Sequence, residues 1–511
     1  MQQESRTRKT LLNARVNLIF YFLTLVLSFF SRKIFLNILG ADFVGLTTTL
    51  QNLLNFLNLA ELGIGTAVGY LLYKPLFENN QYRINEIISV FGYMYHRVGI
   101  FILIAGIVLS FLLPCIFSNI HFEQPIIFFA FYSYLASSLI SYFINYRQTL
   151  LSADQKNYVV TAYFQSGNIL KIVLQIIATF YTHNYYLWIA IELLCGILYS
   201  FVLNWKINKA YPWLQSDIRN GKILLKKYPE VTKKTKQVFV HKLASLIQFQ
   251  STPFLVYIFV SLQTVAFYGN YTMITEKLKA LLANFLDSTS AGIGNLIAEG
   301  DKNKILRVYW ELMAIRFFFA GVCIFSLYYL LPSFIELWLG KEYVQPQSVL
   351  ISLLAIFALN VIRGTTDQFI NGHGLFHDIW SPIAESLIFI VIAFIGGHYW
   401  GLTGILQGNI ISLITIIYVW KPYFLFSQGF QISVGIYWLG FFKYILLSTI
   451  AILIFNKFHL WVKWEYTENN WLSFIGYSAY VGTSIASILF GCLIVGTKGM
   501  KDFVRRITKR N

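Results

Sequence analysis

The chain has 511 residues, 57% of them hydrophobic and only 12% charged, with a mean hydropathy of +0.59 and a formal net charge of +17. A soluble domain carries about 25% charged residues, so the composition excludes a soluble globular protein and indicates a polytopic membrane protein. The surplus of Lys and Arg does not mark a nucleic-acid binder, because it is concentrated in alternate loops between apolar runs.

Crossing roughly 30 Å of hydrocarbon takes about 20 apolar residues. In chain order the predicted helices run near 14–36, 43–72, 98–117, 125–147, 158–181, 186–205, 239–260, 265–297, 308–331, 347–371, 379–398, 401–420, 434–456 and 472–496. The first is longer than the apolar core of a signal peptide and lacks a small-residue cleavage site, so it reads as helix 1 of the mature chain. Arg6, Arg8 and Lys9 precede it; Lys74 and Arg83 follow the second helix and Lys156 the fourth. Lys302, Lys304 and Arg307 follow the eighth, and Lys498, Lys501, Arg505, Arg506, Lys509 and Arg510 the last. Loops 118–124, 182–185 and 261–264 have no Lys or Arg, so the positive-inside rule predicts cytoplasmic termini and cytoplasmic even-numbered loops. Cys115, Cys195, Cys323 and Cys492 stand singly in apolar runs and read as packing residues.

The chain repeats itself after about 225 residues: Val44-Gly45, Gly63-Ile64-Gly65 and Pro114 return as Tyr268-Gly269, Gly292-Ile293-Gly294 and Pro332. Two similar helix bundles are expected, as in many secondary transporters, with substrate bound at the repeat interface. The predicted organisation is an N-lobe over 1–205 and a basic cytoplasmic inter-lobe loop over 206–238. A C-lobe follows over 239–421, then two further helices with a basic cytoplasmic tail over 422–511. Within the loop, Lys206, Lys209, Arg219, Lys222, Lys226, Lys227, Lys233, Lys234 and Lys236 read as a topology signal drawn to anionic headgroups.

Polar groups inside a bilayer are costly, about 2.5–3.5 kcal/mol for a central charge on insertion scales, so each is a candidate functional residue. In the second helix Gln51, Asn55, Asn58 and Glu61 recur at helical spacing along one face, which must look at a partner helix or a watery cavity. In the eighth, Glu276 and Lys279 are spaced to neutralise each other, leaving Lys277 as the unpaired cation and Asp287 as the unpaired acid. Asp287 falls near Glu61 in the repeat, which suggests coupling-ion sites or a gate. Arg32, Lys33, Lys171, Arg316 and Arg363 add positive charge inside the spans; guanidinium forks suit phosphate oxygens, so such a cavity would recognise an anion. No catalytic constellation is present. His373 and His377 lack a third ligand for a metal, and there is no nucleotide-binding Gly-rich loop, so the reading is a transporter without cofactor or metal and not an enzyme.

The runs Leu39-Gly40, Val44-Gly45-Leu46, Glu61-Leu62-Gly63-Ile64-Gly65 and Leu72-Tyr73-Lys74-Pro75-Leu76 resemble bacterial polysaccharide and O-antigen flippases. So do Tyr211-Pro212-Trp213-Leu214, His241-Lys242, Tyr268-Gly269-Asn270-Tyr271 and Gly294-Asn295-Leu296, and the likeness covers roughly residues 10–425. That family lies in the multidrug/oligosaccharidyl-lipid/polysaccharide exporter superfamily. The resemblance implies an all-α protein of about 14 helices, two six-helix lobes plus two C-terminal helices, in the bacterial cytoplasmic (inner) membrane. Its implied activity is alternating-access transfer of a polyprenyl-pyrophosphate-linked oligosaccharide for O-antigen, capsule or exopolysaccharide assembly, driven by a proton or sodium gradient. Partners would be the lipid-linked oligosaccharide, membrane lipid, and polysaccharide polymerase and chain-length proteins, with no nucleic acid.

On this reading Arg32, Lys242, Lys277 and Arg316 contact the pyrophosphate or acidic sugars, and Gln51, Asn55 and Asn58 touch polar headgroup atoms. Glu61 and Asp287 serve ion coupling or gating. Gln250-Ser251-Thr252-Pro253 stands where relatives are often acidic, which disfavours a coupling site there. A cation-coupled multidrug exporter of the same fold and a lipid II flippase are the alternatives. A membrane glycosyltransferase or polymerase is disfavoured, because the longest loop predicted outside, 457–471, is too short for a catalytic site and the repeat would be unexplained.

Overall fold

The computed structural model describes residues 6–58, 64–118, 120–154, 156–229, 250–375, 378–462 and 470–508. The described residues form helices joined by short turns, with no strand, in agreement with the expected all-α class. Nine of the described stretches are long and apolar enough to cross a membrane. Side chains such as Phe101, Ile104, Leu439 and Leu472 stand exposed on them, as residues that face acyl chains do. The chain divides into two compact units, Met1–Phe254 and Leu255–Asn511.

The first unit contains α1 (Arg6–Leu39), α2 (Ala41–Leu57), α3 (Ile64–Phe77), α4 (Gln81–Ser110), α5 (Gln124–Phe143), α6 (Asn157–Thr182), α7 (Tyr185–Ala210) and the short α8 (Gly221–Lys227). Gly40, at φ 87°, turns the chain between α1 and α2, a conformation that a side chain would strain. Asn80 caps α4 by accepting from Arg83 N, and Asn184 caps α7 by accepting from Leu187 N. α1 packs on α6, α6 on α7, and α5 on α2, α4 and α7. Residues 211–228 of the basic loop are folded onto α4. Asn85 Oδ1 accepts from Gln215 N at 2.9 Å, Ser89 Oγ from Asp217 N at 2.9 Å, and the Glu86 carboxylate from Lys227 Nζ at 2.7 Å and Tyr228 Oη at 2.6 Å. Lys227 is thus tied to protein, not left to lipid headgroups.

The second unit contains α9 (Leu262–Leu286), α10 (Ser290–Glu299), α11 (Lys302–Trp338), α12 (Gln347–Gly372), α13 (Trp380–Ser412), α14 (Gly435–Val462), α15 (Trp471–Gly496) and α16 (Lys498–Thr508). α11 packs on α12, α14, α15 and α16. With 37 residues it is about 55 Å long, more than the hydrocarbon thickness, so its polar first turns extend beyond the apolar zone. Lipid is as apolar as leucine and offers no drive to associate, so close approach at small residues has to hold such helices together. Gly321 supplies one such contact: a Cβ there would fall 2.6 Å from Leu489 Cδ2 of α15.

Within α13 the chain reverses. Gly401 has φ 55° and ψ −134°, and a Cβ on Gly396 would lie 2.6 Å from the Gly404 carbonyl oxygen. A Cβ on Gly408 would lie 2.6 Å from Ala393 N, although fifteen residues of continuous helix span about 22 Å. The two expected helices near 379–398 and 401–420 are therefore distinct, back to back along small residues.

The structure corrects two expectations. The second helix is not one continuous helix from 43: α2 ends at Leu57 with Asn58 as its cap. The eighth is not continuous over 265–297: α9 stops at Leu286, Asp287–Thr289 form one tight turn, and α10 follows. These breaks fall at corresponding places in the repeat, just before Gly63-Ile64-Gly65 and Gly292-Ile293-Gly294. The basic tail is helix α16 through Thr508, packed on α11 with Met500 buried and Arg506 Nη2 2.7 Å from Glu311. Since Glu311 is almost fully buried, Arg506→Gln leaves a carboxylate short of its partner. The expected loss is about 1–3 kcal/mol, read as a lower melting temperature of the purified protein.

Candidate functional site

In the first unit the polar face of α2 meets α5. Asn58 Oδ1 accepts from Tyr142 Oη at 3.0 Å and from Ser138 Oγ at 3.1 Å, while Asn58 Nδ2 donates to Asn55 Oδ1 at 3.4 Å. Asn55 Nδ2 donates to Gln250 Oε1 at 3.2 Å. The amides thus satisfy one another inside apolar helices, where an unsatisfied polar group is expensive. Gln51 is exposed on the same helix, and Arg32 is half-buried in α1. Glu61 and Lys242 lie outside the described residues.

A second polar group in this unit ties α6 to α7. Lys171 Nζ donates to Glu192 Oε1 at 3.0 Å, and Gln175 Nε2 donates to the Trp188 carbonyl at 3.1 Å and to Glu192 Oε2 at 3.4 Å. Lys171, read from sequence as a cation available to substrate, is neutralised by an acid that sequence reasoning passed over. Glu192 is the one acid in the 186–205 run, and that was the available signal. Deeper along α7, Asn145 Nδ2 donates to Ser200 Oγ at 2.9 Å and Asn145 Oδ1 accepts from Asn204 Nδ2 at 3.0 Å.

In the second unit the break between α9 and α10 is the focus. Arg316 Nη2 donates to Asp287 Oδ1 at 2.6 Å, and Nη1 donates to the Val361 carbonyl at 3.0 Å. Gln368 Nε2 donates to the Leu286 carbonyl at 3.2 Å and to Asp287 Oδ1 at 3.4 Å. Asp287, expected as an unpaired acid, is therefore ion-paired, because the helix ends just before it and turns its carboxylate toward α11. Glu276 and Lys279 pair at 2.6 Å as their spacing predicted, and Lys277 is half-buried beside them. Two residues after Val361, Arg363 Nε donates to Asp367 at 2.9 Å with Glu385 at 3.9 Å. Sequence reasoning noted Arg363 but neither acid. Among the described residues no three His, Cys, Asp or Glu side chains stand together as a metal site.

The structure thus brings Asn55 together with Asn58, and Asp287 with Arg316. The first pair belongs to the first unit and the second pair to the second.

No family model and no curated protein matches the chain. Solved structures do. The lipid II flippase MurJ in its inward closed conformation superposes over 93% of this chain and 98% of its own, with TM-score 0.65 and 15% identity. An inward-facing multidrug resistance MATE family transporter of the MOP superfamily covers 81% of this chain and 98% of its own, at TM-score 0.59 and 16% identity. A MATE structure in the bent conformation covers 83% and 98%, at TM-score 0.50 and 15% identity. At such identities the likeness is one of fold, and with its apolar helices it makes the chain a multi-pass membrane protein that shares the architecture of these transporters.

Proposed function

We propose that the protein is a flippase that carries polyprenyl-pyrophosphate-linked oligosaccharide units across the bacterial cytoplasmic membrane by alternating access. The product would feed surface polysaccharide assembly, and a proton or sodium gradient would drive the transfer. The observation that carries this reading is the extent of the fold: 93% of the chain follows a lipid II flippase, against 81% for an inward-facing multidrug transporter. The motifs shared with polysaccharide flippases favour an oligosaccharide lipid over lipid II. Amides on α2 suit hydroxyl-rich headgroups, and Arg32, Lys242, Lys277 and Arg316 supply cations for the pyrophosphate. Glu61 and Asp287 remain the proposed coupling or gating acids.

The test is reconstitution of the full chain into liposomes with a labelled polyprenyl-pyrophosphate oligosaccharide, with lipid II and with a cationic dye, each with and without pH and sodium gradients. The oligosaccharide lipid is expected to become accessible on the opposite leaflet faster with a gradient. Transfer of lipid II alone would assign the lipid II reading, and efflux of the dye alone would assign a drug exporter.

A further inference from the structure

Two donors from two different helices converge on a single oxygen at the α9–α10 break. Arg316 Nη2 of α11 reaches Asp287 Oδ1 at 2.6 Å and Gln368 Nε2 of α12 reaches it at 3.4 Å, with Thr289 Oγ1 3.5 Å from the same amide nitrogen. The donors are fixed. The Arg316 side chain is only 5% exposed, its other arm is held by the Val361 carbonyl, and its guanidinium lies across Gly364, where a Cβ would fall 2.5 Å from Cζ. The acceptor is the exposed partner: Asp287 is 54% exposed and stands on a tight turn between two helices. Other charges on α12 do not compete for Arg316, since Asp367 is bonded to Arg363.

A buried guanidinium in an apolar helix needs an anion at all times, because an unpaired charge there is strongly destabilising. A phosphate oxygen offers the same charge and the same acceptor geometry as a carboxylate. We propose that Arg316 and Gln368 form a phosphate seat, that Asp287 occupies it in the resting protein, and that the diphosphate of a lipid-linked substrate displaces Asp287. This rests on the flippase reading and narrows it to one site. The exchange swaps one hydrogen-bonded oxyanion for another, so Arg316 is never left without a partner. Asp287 is the exposed member of the pair, so it can leave without drawing a buried charge out with it. An internal occupant also weakens ligand binding, in inverse proportion to the fraction of time the seat stands open.

The experiment is titration of undecaprenyl pyrophosphate into the full chain in nanodiscs, read by native mass spectrometry. Asp287→Asn removes the competing charge and keeps the shape. If the carboxylate holds the seat about nine-tenths of the time, D287N binds about tenfold tighter than wild type. Arg316→Gln binds more weakly, and adding D287N to R316Q restores nothing. Should D287N or R316Q fail to fold, Gln368→Leu serves instead: it leaves the Arg316–Asp287 pair in place and is expected to bind more weakly than wild type, and unchanged binding by Q368L overturns the seat. Equal or weaker binding by D287N overturns the seat. Leaflet crossing by wild type with unchanged D287N affinity removes the seat and leaves the flippase. Tighter binding by D287N without any leaflet crossing keeps the seat and removes the flippase.

Discussion

Asp378→Ala is expected to lower the stability of the second unit by about 3–5 kcal/mol, the range for removing one partner of a buried pair. Asp378 is 2% exposed at its side chain, and one of its oxygens accepts three bonds: from Ser381 Oγ at 2.7 Å, Lys421 Nζ at 2.8 Å and Trp420 Nε1 at 3.0 Å. That carboxylate joins the start of α13 to the chain following it, and without it Lys421, at 13% exposure, is a buried cation with no counter-charge. Thermal unfolding of the purified protein measures the loss. Replacing both charges, as in D378L/K421L, is expected to be much milder, because no unpaired charge remains.

The same carboxyl gives the protein an acid limit. Burial pushes the Asp378 carboxyl up, but the hydrogen bonds from Lys421 and Ser381, with the lysine charge and Trp420, outweigh it and hold the group below the ordinary carboxylate value. A depressed folded-state pKa contributes stability above the unfolded value, and that contribution is lost as pH falls through the folded one. Its contribution is therefore expected in full at neutral pH and to fade only below about pH 4. Equal acid sensitivity of wild type and Asp378→Asn would refute the assignment.

Gly396→Ala carries the other large expected effect. Its new methyl would meet the Gly404 carbonyl at 2.6 Å, and a backbone atom in a packed helix pair cannot swing aside as a flexible side chain does. Separating the two helices also loosens Gly408 from Ala393. A loss of about 3 kcal/mol, at the upper end of overpacking costs, is expected as a lower yield of monodisperse protein and a depressed melting temperature. Gly482→Ala, where a Cβ meets nothing within 4 Å, is the control and is expected to behave as wild type.

The candidate residues were legible to different degrees. The amides of α2 were found because polar groups at helical spacing in an apolar run are conspicuous, and Asn55 and Asn58 did turn out to share a network. Their partners Ser138 and Tyr142 lie 80 or more residues away and carried no local sign. Charges inside spans were equally conspicuous, which is why Arg316, Asp287 and Lys171 were all singled out. What they bind was not legible. Lys171 meets Glu192 and Arg316 meets Asp287 across 21 and 29 residues, and those pairings depend on where each helix stops and how it rotates against its neighbour.

By itself, the sequence determined the solvent and the class. Apolar runs of bilayer length must become helices, since only helices satisfy their own backbone in hydrocarbon one segment at a time. It also determined the repeat, because glycine and proline punctuation survives as pattern. Only the tertiary structure decided the breaks after Leu57 and Leu286, the reversal at Gly401 and the partner of each buried charge. Those are matters of distance between segments remote in the chain, and in a membrane they are settled by close packing and by the need to pair every charge, neither of which leaves a periodic trace in the residues.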